Sequence, residues 1–333
     1  MSVERKLAVL DLGSNSVRME IYQIMPDGSF RSVVREKRLV RLSEHMGNEC
    51  ILKPIPIHRT LRALRDFKRI LDETGADDVR AMATEAVRRA KNGRFFLQQA
   101  EKETGFHFRI LRGQEEAAYD CMGVSSSLDM EDYIMLDTGG GSVEIALVLK
   151  NRLSYAVSLP LGSVVLSEKW GLGNRITAAQ CFDVMMDVSR EYQQVRWLEK
   201  GKNFPVVVLG GSNRILGRLH MLRRCPERST LHNYRIEAED IFRMFREMLL
   251  TDAEERKAMP GMEAERANII IGGLAPLVVL LLHLESEGII VCLEGLRMGV
   301  LQEYRQELKK KNFFRDENPK TECSCIFRKR ETI

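Results

Sequence analysis

A fixed offset of 126 residues organises this chain: Asp11, Gly13, Ser16 and Val17 recur without a gap as Asp137, Gly139, Ser142 and Val143. Each copy closes an apolar strand with a polar tip and then resumes as a second strand, in VLDLGSNSVRMEIYQI over Val9 to Ile24 and in MLDTGGGSVEIALVLK over Met135 to Lys150. One such tip alone reads equally well as an ordinary β turn, because Gly and Asn supply the positive φ that tight hairpins require. Two tips at one offset point to a duplicated unit whose tips face each other. An aspartate at a strand end can hold a hydrated cation, glycines let backbone N–H groups approach phosphate oxygens, and hydroxyls add neutral donors. Facing tips would grip a phosphate chain from both sides.

The rest of the chain alternates strand and helix in both halves. Leu7 to Asp11, Val17 to Gln23 and Phe30 to Leu39 read as three strands joined by tight turns. Pro56 to Gly75 carries apolar residues at helical spacing with a glycine stop. DVRAMAT reads as strand, EAVRRAKNGRFFLQQAEKETG as one helix, FHFRILR as strand, and GQEEAAYDCMGV as the start of another helix. After the polar break SSSLDMED the pattern restarts with YIMLDT, SVEIALVLK and RLSYAVSLPLG, followed by helices and a strand at FPVVVLGG. The expected class is α/β. The expected domains are 1–124, completed by a helix near 297–310, and 125–296, with 311–333 as a flexible tail. Gly123 is the one glycine between the GQEEA helix and the break, and suits either a hinge between two closing lobes or a helix cap.

Composition removes several function classes. A chain of 333 residues that is 44% hydrophobic can bury a sizeable core, and its length suggests about two domains. A net charge of +4 gives no ground for nucleic-acid binding. The longest apolar run, Ile269 to Leu284, contains two glycines, a proline and His283, and falls short of a membrane span, so it reads as a buried helix. MSVERKLAVLDLG enters a strand at once, without the features of a signal peptide, and seven scattered cysteines point to a reducing cytoplasm. The six histidines show no metal-ligand spacing, and Cys323 with Cys325 supply only two ligands in a tail of mixed charge.

Several motifs now carry a family resemblance. The two tips, with LGGS at Leu209 to Ser212, resemble the phosphate and nucleotide motifs of the superfamily of actin, sugar kinases and heat-shock chaperone ATPases. DLGSNSVR at Asp11, ATEAVRRAKN at Ala83, GQEEA at Gly113, DTGGGSVE at Asp137 and SLPLGSVVLSE at Ser158 occur in the order seen in the exopolyphosphatase and guanosine pentaphosphate phosphohydrolase family. The resemblance spans about residues 5–305. It implies two ribonuclease-H-like, actin-like ATPase domains flanking a cleft, and a phosphoanhydride hydrolase using Mg²⁺ or Mn²⁺. The implied substrates are inorganic polyphosphate or guanosine pentaphosphate. It also suggests a homodimer.

Hydrolysing a phosphoanhydride needs an in-line water, a carboxylate to orient or deprotonate it, a cation on the phosphoryl oxygens, and donors that hold the chain still. Glu115 and Glu116 point about 100° apart on a helix, so one of them faces any cleft; the resemblance selects Glu116 as base. Glu144 shares a strand face with Ser142, and Glu144, Asp137 and Asp11 are the expected cation ligands. The resemblance places Glu144 and Arg88 in the active site, and Ser14, Asn15, Gly139, Gly140, Gly141 and Ser142 complete the expected phosphate cradle. Arg18 replaces Glu144 in the repeat and can equally pair with a carboxylate. The chain departs from the family pattern at Val143, Asn268, Cys292 and Met298, where threonine, aspartate, serine and glutamate are common. A non-catalytic sensor of polyphosphate or guanosine tetra- or pentaphosphate, and a sugar-kinase-like phosphotransferase, are the competing readings. Longer relatives append helical domains that extend the groove, so this chain is expected to favour short substrates.

Overall fold

The computed structural model describes residues 4–311 and Phe313. The expectations for the tail beyond these residues, including Cys323 and Cys325, lie outside them. The first half runs β1 (Arg5–Leu12), β2 (Ser16–Ile24), β3 (Phe30–Leu39), α1 (Pro54–Thr74), β4 (Asp78–Ala83), α2 (Glu85–Arg89), α3 (Gly93–Thr104), β5 (Phe108–Ile110) and α4 (Gly113–Ser125). The second runs β6 (Tyr133–Thr138), β7 (Val143–Leu149), β8 (Arg152–Leu159), α5 (Ser163–Trp170), α6 (Ala178–Gln193), β9 (Val206–Gly210), α7 (Gly211–Arg224), β10 (Tyr234–Glu237), α8 (Ala238–Leu249), α9 (Ala253–Lys257), α10 (Ile270–Leu284) and β11 (Gly288–Val291). The chain closes with α11 (Leu296–Lys310).

These strands form two sheets with the orders β3-β2-β1-β4-β5 and β10-β11-β9-β6-β7-β8. In each, three antiparallel strands are extended by parallel strands that helices bring back alongside, and in the second sheet the edge strand β10 then adds antiparallel to β11. The 126-residue repeat is written into the register. Asp11 pairs with Arg18 and Leu12 with Val17; Asp137 pairs with Glu144 and Thr138 with Val143. Gly13 N–H donates to the Ser16 carbonyl at 3.1 Å, and Gly139 N–H to that of Ser142 at 3.0 Å. Both tips are therefore the same turn, and each leaves its aspartate at the strand's end.

Burial explains where the remaining elements lie. The apolar run read as a buried helix is α10, whose residues from Ile270 to Leu281 are all buried against the second sheet's core. Each large side chain so buried contributes about 1.5–3 kcal/mol of transfer free energy. No described helix is long and apolar enough to cross a membrane.

Helix α4 is buried on all sides from Glu116 to Val124 because it is packed between two sheets. Ala117, Cys121 and Val124 meet Met135, Ala146, Val207 and Leu209 of the second sheet. Tyr119 and Met122 join Leu7, Val9 and Tyr22 of the first sheet, with Leu296, Val300, Leu301 and Tyr304 of α11. The chain thus crosses between the sheets twice, through α4 and its following turn and through residues 292–295. Gly123 lies inside α4, whose C-cap is Ser126, so it is not a cap. A Cβ there would stand 2.5 Å from the Gly295 carbonyl oxygen, which makes Gly123 a close-approach residue between the two crossings.

One expected element is divided. The single helix over EAVRRAKNGRFFLQQAEKETG is instead α2 and α3, broken at Ala90–Asn92. Helical spacing runs through the break, but Asn92 has a stronger local option: its side chain accepts from Leu52 N–H at 2.9 Å and donates to the Leu52 carbonyl at 3.0 Å. The chain then folds back so tightly that a Cβ on Gly93 would lie 2.3 Å from the Val87 carbonyl oxygen.

Candidate active site

The cleft between the sheets is lined by both tips, Gly13–Ser16 and Thr138–Ser142, by Asp11, Glu116 and Asp137, and by residues 293–298 at the start of α11. The tips already touch. A Cβ on Gly140 would stand 3.1 Å from Asn15 Cβ and Ser14 Cβ, and one on Gly141 would stand 2.5 Å from Ser14 Oγ. Only glycine allows this approach, which lays the second tip's backbone against the hydroxyl and amide of the first.

The two adjacent glutamates separate as helix geometry requires. Glu115 closes a capping box at the start of α4, where its Oε2 accepts from Arg112 N–H at 2.8 Å and its Oε1 from Arg109 Nη2 at 2.6 Å. Glu116 turns inward and is 8% exposed. Burial, then the charge of Glu144, hold its pKa well above the usual carboxylate range against the opposing pull of Arg88.

Arg88 and Glu144 stand behind the cleft wall rather than on it. Arg88 Nη1 donates to Glu116 Oε2 at 3.2 Å and to the Leu111 carbonyl at 2.7 Å, and its Nη2 pairs with Glu85. It aims Glu116 through a fixed guanidinium fork. Glu144 is 1% exposed, and its Oε1 accepts from both Ser142 Oγ and Ser158 Oγ at 2.7 Å. Burial first, and then Asp137, push its pKa up to about 7, with the two hydroxyls opposing.

The donor set partly fits a hard divalent cation. Asp137 Oδ1 is buried without a partner, and Asp11 lines the same cleft. Two carboxylates are what Mg²⁺ commonly takes, with phosphate oxygens and water filling its other positions. Glu144 fits less well, because Oε1 already accepts two hydroxyls and the residue does not line the cleft. Among the described residues no three acidic, histidine or cysteine side chains stand in metal-binding geometry.

Sequence reasoning missed several wall residues. Glu85 pairs with both Arg88 and Arg89, and Asp120 lines the cleft one helical turn after Glu116. Arg214, Arg266 and Arg297 also line the cleft, beside the Arg18 that the repeat had singled out. Arg18 reaches Asp11 at 3.9 Å, as the pairing alternative requires. Burial, then Arg18 and Arg297, lower Arg214 to about 10. The spacing of Glu85 to Arg88 and of Glu116 to Asp120 was a usable signal, since residues three and four apart share a helix face.

These raised carboxyls fix a sign for stability. Glu144 titrates near 7 when folded and near ~4.3 unfolded, so the folded chain binds more protons across that window. Stability contributed by its protonated form is lost as pH rises from about 4.3 towards 7. Chelator-treated protein is expected to melt lower at pH 8 than at pH 5.5, with a shallower fall in Glu144→Gln, as read by calorimetry. An equal fall in that variant would remove Glu144 as a source.

Comparison with known proteins agrees with this architecture. The Aquifex aeolicus member of the Ppx/GppA family is 29% identical with a TM-score of 0.75, over 93% of this chain and 99% of that one. Its likeness establishes the actin-like two-domain fold that the family resemblance implied. The guanosine-5'-triphosphate,3'-diphosphate pyrophosphatase of Vibrio cholerae is 25% identical over 308 residues, 92% of this chain and 60% of the relative. A bifunctional 3-dehydroquinate synthase/phosphatase of Fusobacterium nucleatum is 24% identical over 311 residues, 89% of this chain and 46% of the relative. The chain therefore spans about half the length of these two relatives. With a match to the family pattern extending over residues 21–308, beneath a cleft built from paired glycine tips, the chain belongs to the Ppx/GppA phosphatase family.

Proposed function

We propose that this protein is an exopolyphosphatase that hydrolyses terminal phosphoanhydride bonds of short inorganic polyphosphate with Mg²⁺ or Mn²⁺, and that the same cleft accepts the 5′ γ-phosphate of guanosine pentaphosphate. The observation that carries the reading is Glu116: a buried carboxyl held by Arg88 in the cleft that both glycine-bearing tips line. The relative from Vibrio cholerae supports the guanosine substrate.

The chain's own groups divide the work. Backbone N–H groups of Gly140 and Gly141 and the Ser14 hydroxyl hold the terminal phosphoryl group, with Asn15 Nδ2, buried and without a partner, as a further donor. Gly139 N–H is committed to the Ser142 carbonyl and the Ser142 hydroxyl to Glu144, so these two expected cradle residues shape the tip rather than donate. A cation on Asp11 and Asp137 would neutralise charge on the phosphoryl oxygens. Glu116 orients a water and takes its proton, and its raised pKa makes it a stronger base than a surface glutamate once ionised. Arg88 keeps that carboxylate aimed at the water. Glu144 fixes the Ser142 hydroxyl through their 2.7 Å bond.

The sensor reading predicts binding without turnover, and a Glu116 already oriented by Arg88 disfavours it. A length series is the test: phosphate release from defined short and long polyphosphates and from guanosine pentaphosphate, with Mg²⁺. Short chains are expected to be cleaved fastest, and a clear preference for long chains would refute the short-groove reading. A homodimer is part of the proposal and is read by light scattering.

A further inference from the structure

One stretch of the cleft wall is a short run, residues 293–297, by which the chain returns from the second sheet to α11. Three side chains hold it. Asp120 on α4 is 1% exposed and lies against the start of α11, where a Cβ on Gly295 would stand 2.7 Å from its Oδ1 and the Leu296 backbone favours its charged form. His232, in the loop before β10, accepts the Leu293 N–H at Nδ1 at 3.3 Å and bonds the Ser127 carbonyl through Nε2 at 3.2 Å. An amide N–H can only donate, so the ring is neutral with its proton on Nε2, and it ties this crossing to the one that follows α4. Arg214 Nη2 donates to the Leu293 carbonyl at 2.9 Å.

What this run presents to the cleft is Arg297. Its guanidinium reaches Asp11 at 3.6 Å and Glu20 at 3.1 Å. The one other cation near Asp11 among the described residues is Arg18, at 3.9 Å. The orientation of Asp11 therefore depends on Arg297, and that of Arg297 on how residues 293–296 are held. A carboxyl at position 120 is costly by itself. It is buried in the cleft wall and faces the charges of Asp137, Glu144 and Asp11, which together with burial hold its pKa well above the usual carboxylate range. Its contact with the α11 N-terminus is the compensating interaction.

We propose that Asp120 and His232 are positioning residues for the phosphohydrolase reaction, fixing residues 293–296 from opposite sides so that Arg297 holds Asp11 towards the substrate. The kinetic part of this inference rests on the function proposed above; the structural part does not.

The test uses the full chain as Asp120→Ala, Asp120→Asn, His232→Ala and His232→Gln, each alone and combined with Arg297→Met. Hydrogen exchange at residues 293–297 is read without substrate, and phosphate release is read on short polyphosphate. Both alanine variants are expected to speed exchange there, and to lower kcat by about tenfold with KM within about twofold. Asn and Gln keep an acceptor and are expected to recover activity to within about threefold. On the Arg297→Met background neither alanine should cost more than about twofold, because its effect passes through Arg297. Losses that add fully to that of Arg297→Met, or unchanged exchange at 293–297, would overturn the proposal. If Asp120→Ala does not fold, His232→Ala makes the same test from outside the cleft. Wild type that releases no phosphate while the variants speed exchange would defeat the proposed function and leave the tethering of this run standing.

Discussion

Glu116→Gln is expected to reduce phosphate release by at least about a hundredfold in kcat while leaving the protein folded and phosphate-chain binding intact. Glutamine keeps the shape and can still accept from Arg88, so the loss isolates the proton-accepting role. Because burial and Glu144 both oppose ionisation of Glu116, the neutral amide is also expected to melt no lower than wild type at pH 8. Stopped-assay kinetics beside calorimetry and equilibrium binding of polyphosphate make the comparison. A loss below about tenfold would mean that another group activates the water.

Gly299→Ala is expected to be the most disruptive single-methyl change in the fold. A Cβ at this position would lie 2.0 Å from the Tyr119 carbonyl oxygen, so α11 cannot stay where it is against α4. Neither backbone can yield without disturbing the core shared by Leu7, Val9, Tyr119, Leu296 and Leu301. Overpacking of this kind costs about 1–3 kcal/mol, sometimes more. Activity should fall with stability, since α4 carries Glu116 and α11 carries Arg297. Gly173→Ala is the control: its Cβ would meet only the Asn268 carbonyl, at 3.8 Å. Equal melting temperatures for the two variants would show that the crossing tolerates separation.

The parts of this site that were legible in the sequence are the local ones. A constant offset preserves strand register, so the alignment of Asp11 with Asp137 foretold two equivalent tips. Helical geometry separated Glu115 from Glu116, though only the fold shows the first capping α4. Glu85 and Asp120 were missed despite a local spacing signal, whereas Arg297 depends on chain return. Arg297 lies 286 positions after Asp11 in sequence yet pairs with it, because α11 comes back to the first sheet. No periodicity in α11 announces that contact. The α2–α3 break was hidden for a related reason: Asn92 is an acceptable helix residue until Leu52 offers it two backbone hydrogen bonds. The resemblance placed Glu144 at the site, but its burial behind the cleft wall was not legible. Its strand pattern does not reveal that Ser158 on β8 would arrive to saturate the same oxygen as Ser142.

The most direct measurement of the central claim is the fate of solvent oxygen. Short polyphosphate of defined length is incubated with the protein and Mg²⁺ in ¹⁸O-water, and the products are resolved by mass spectrometry. Water attack at the chain end predicts a polymer shortened by one unit and, in the released phosphate, a single ¹⁸O, with Glu116→Gln producing neither. Tight binding with no release, or an unlabelled phosphoryl group transferred to an added acceptor, would contradict hydrolysis in this cleft.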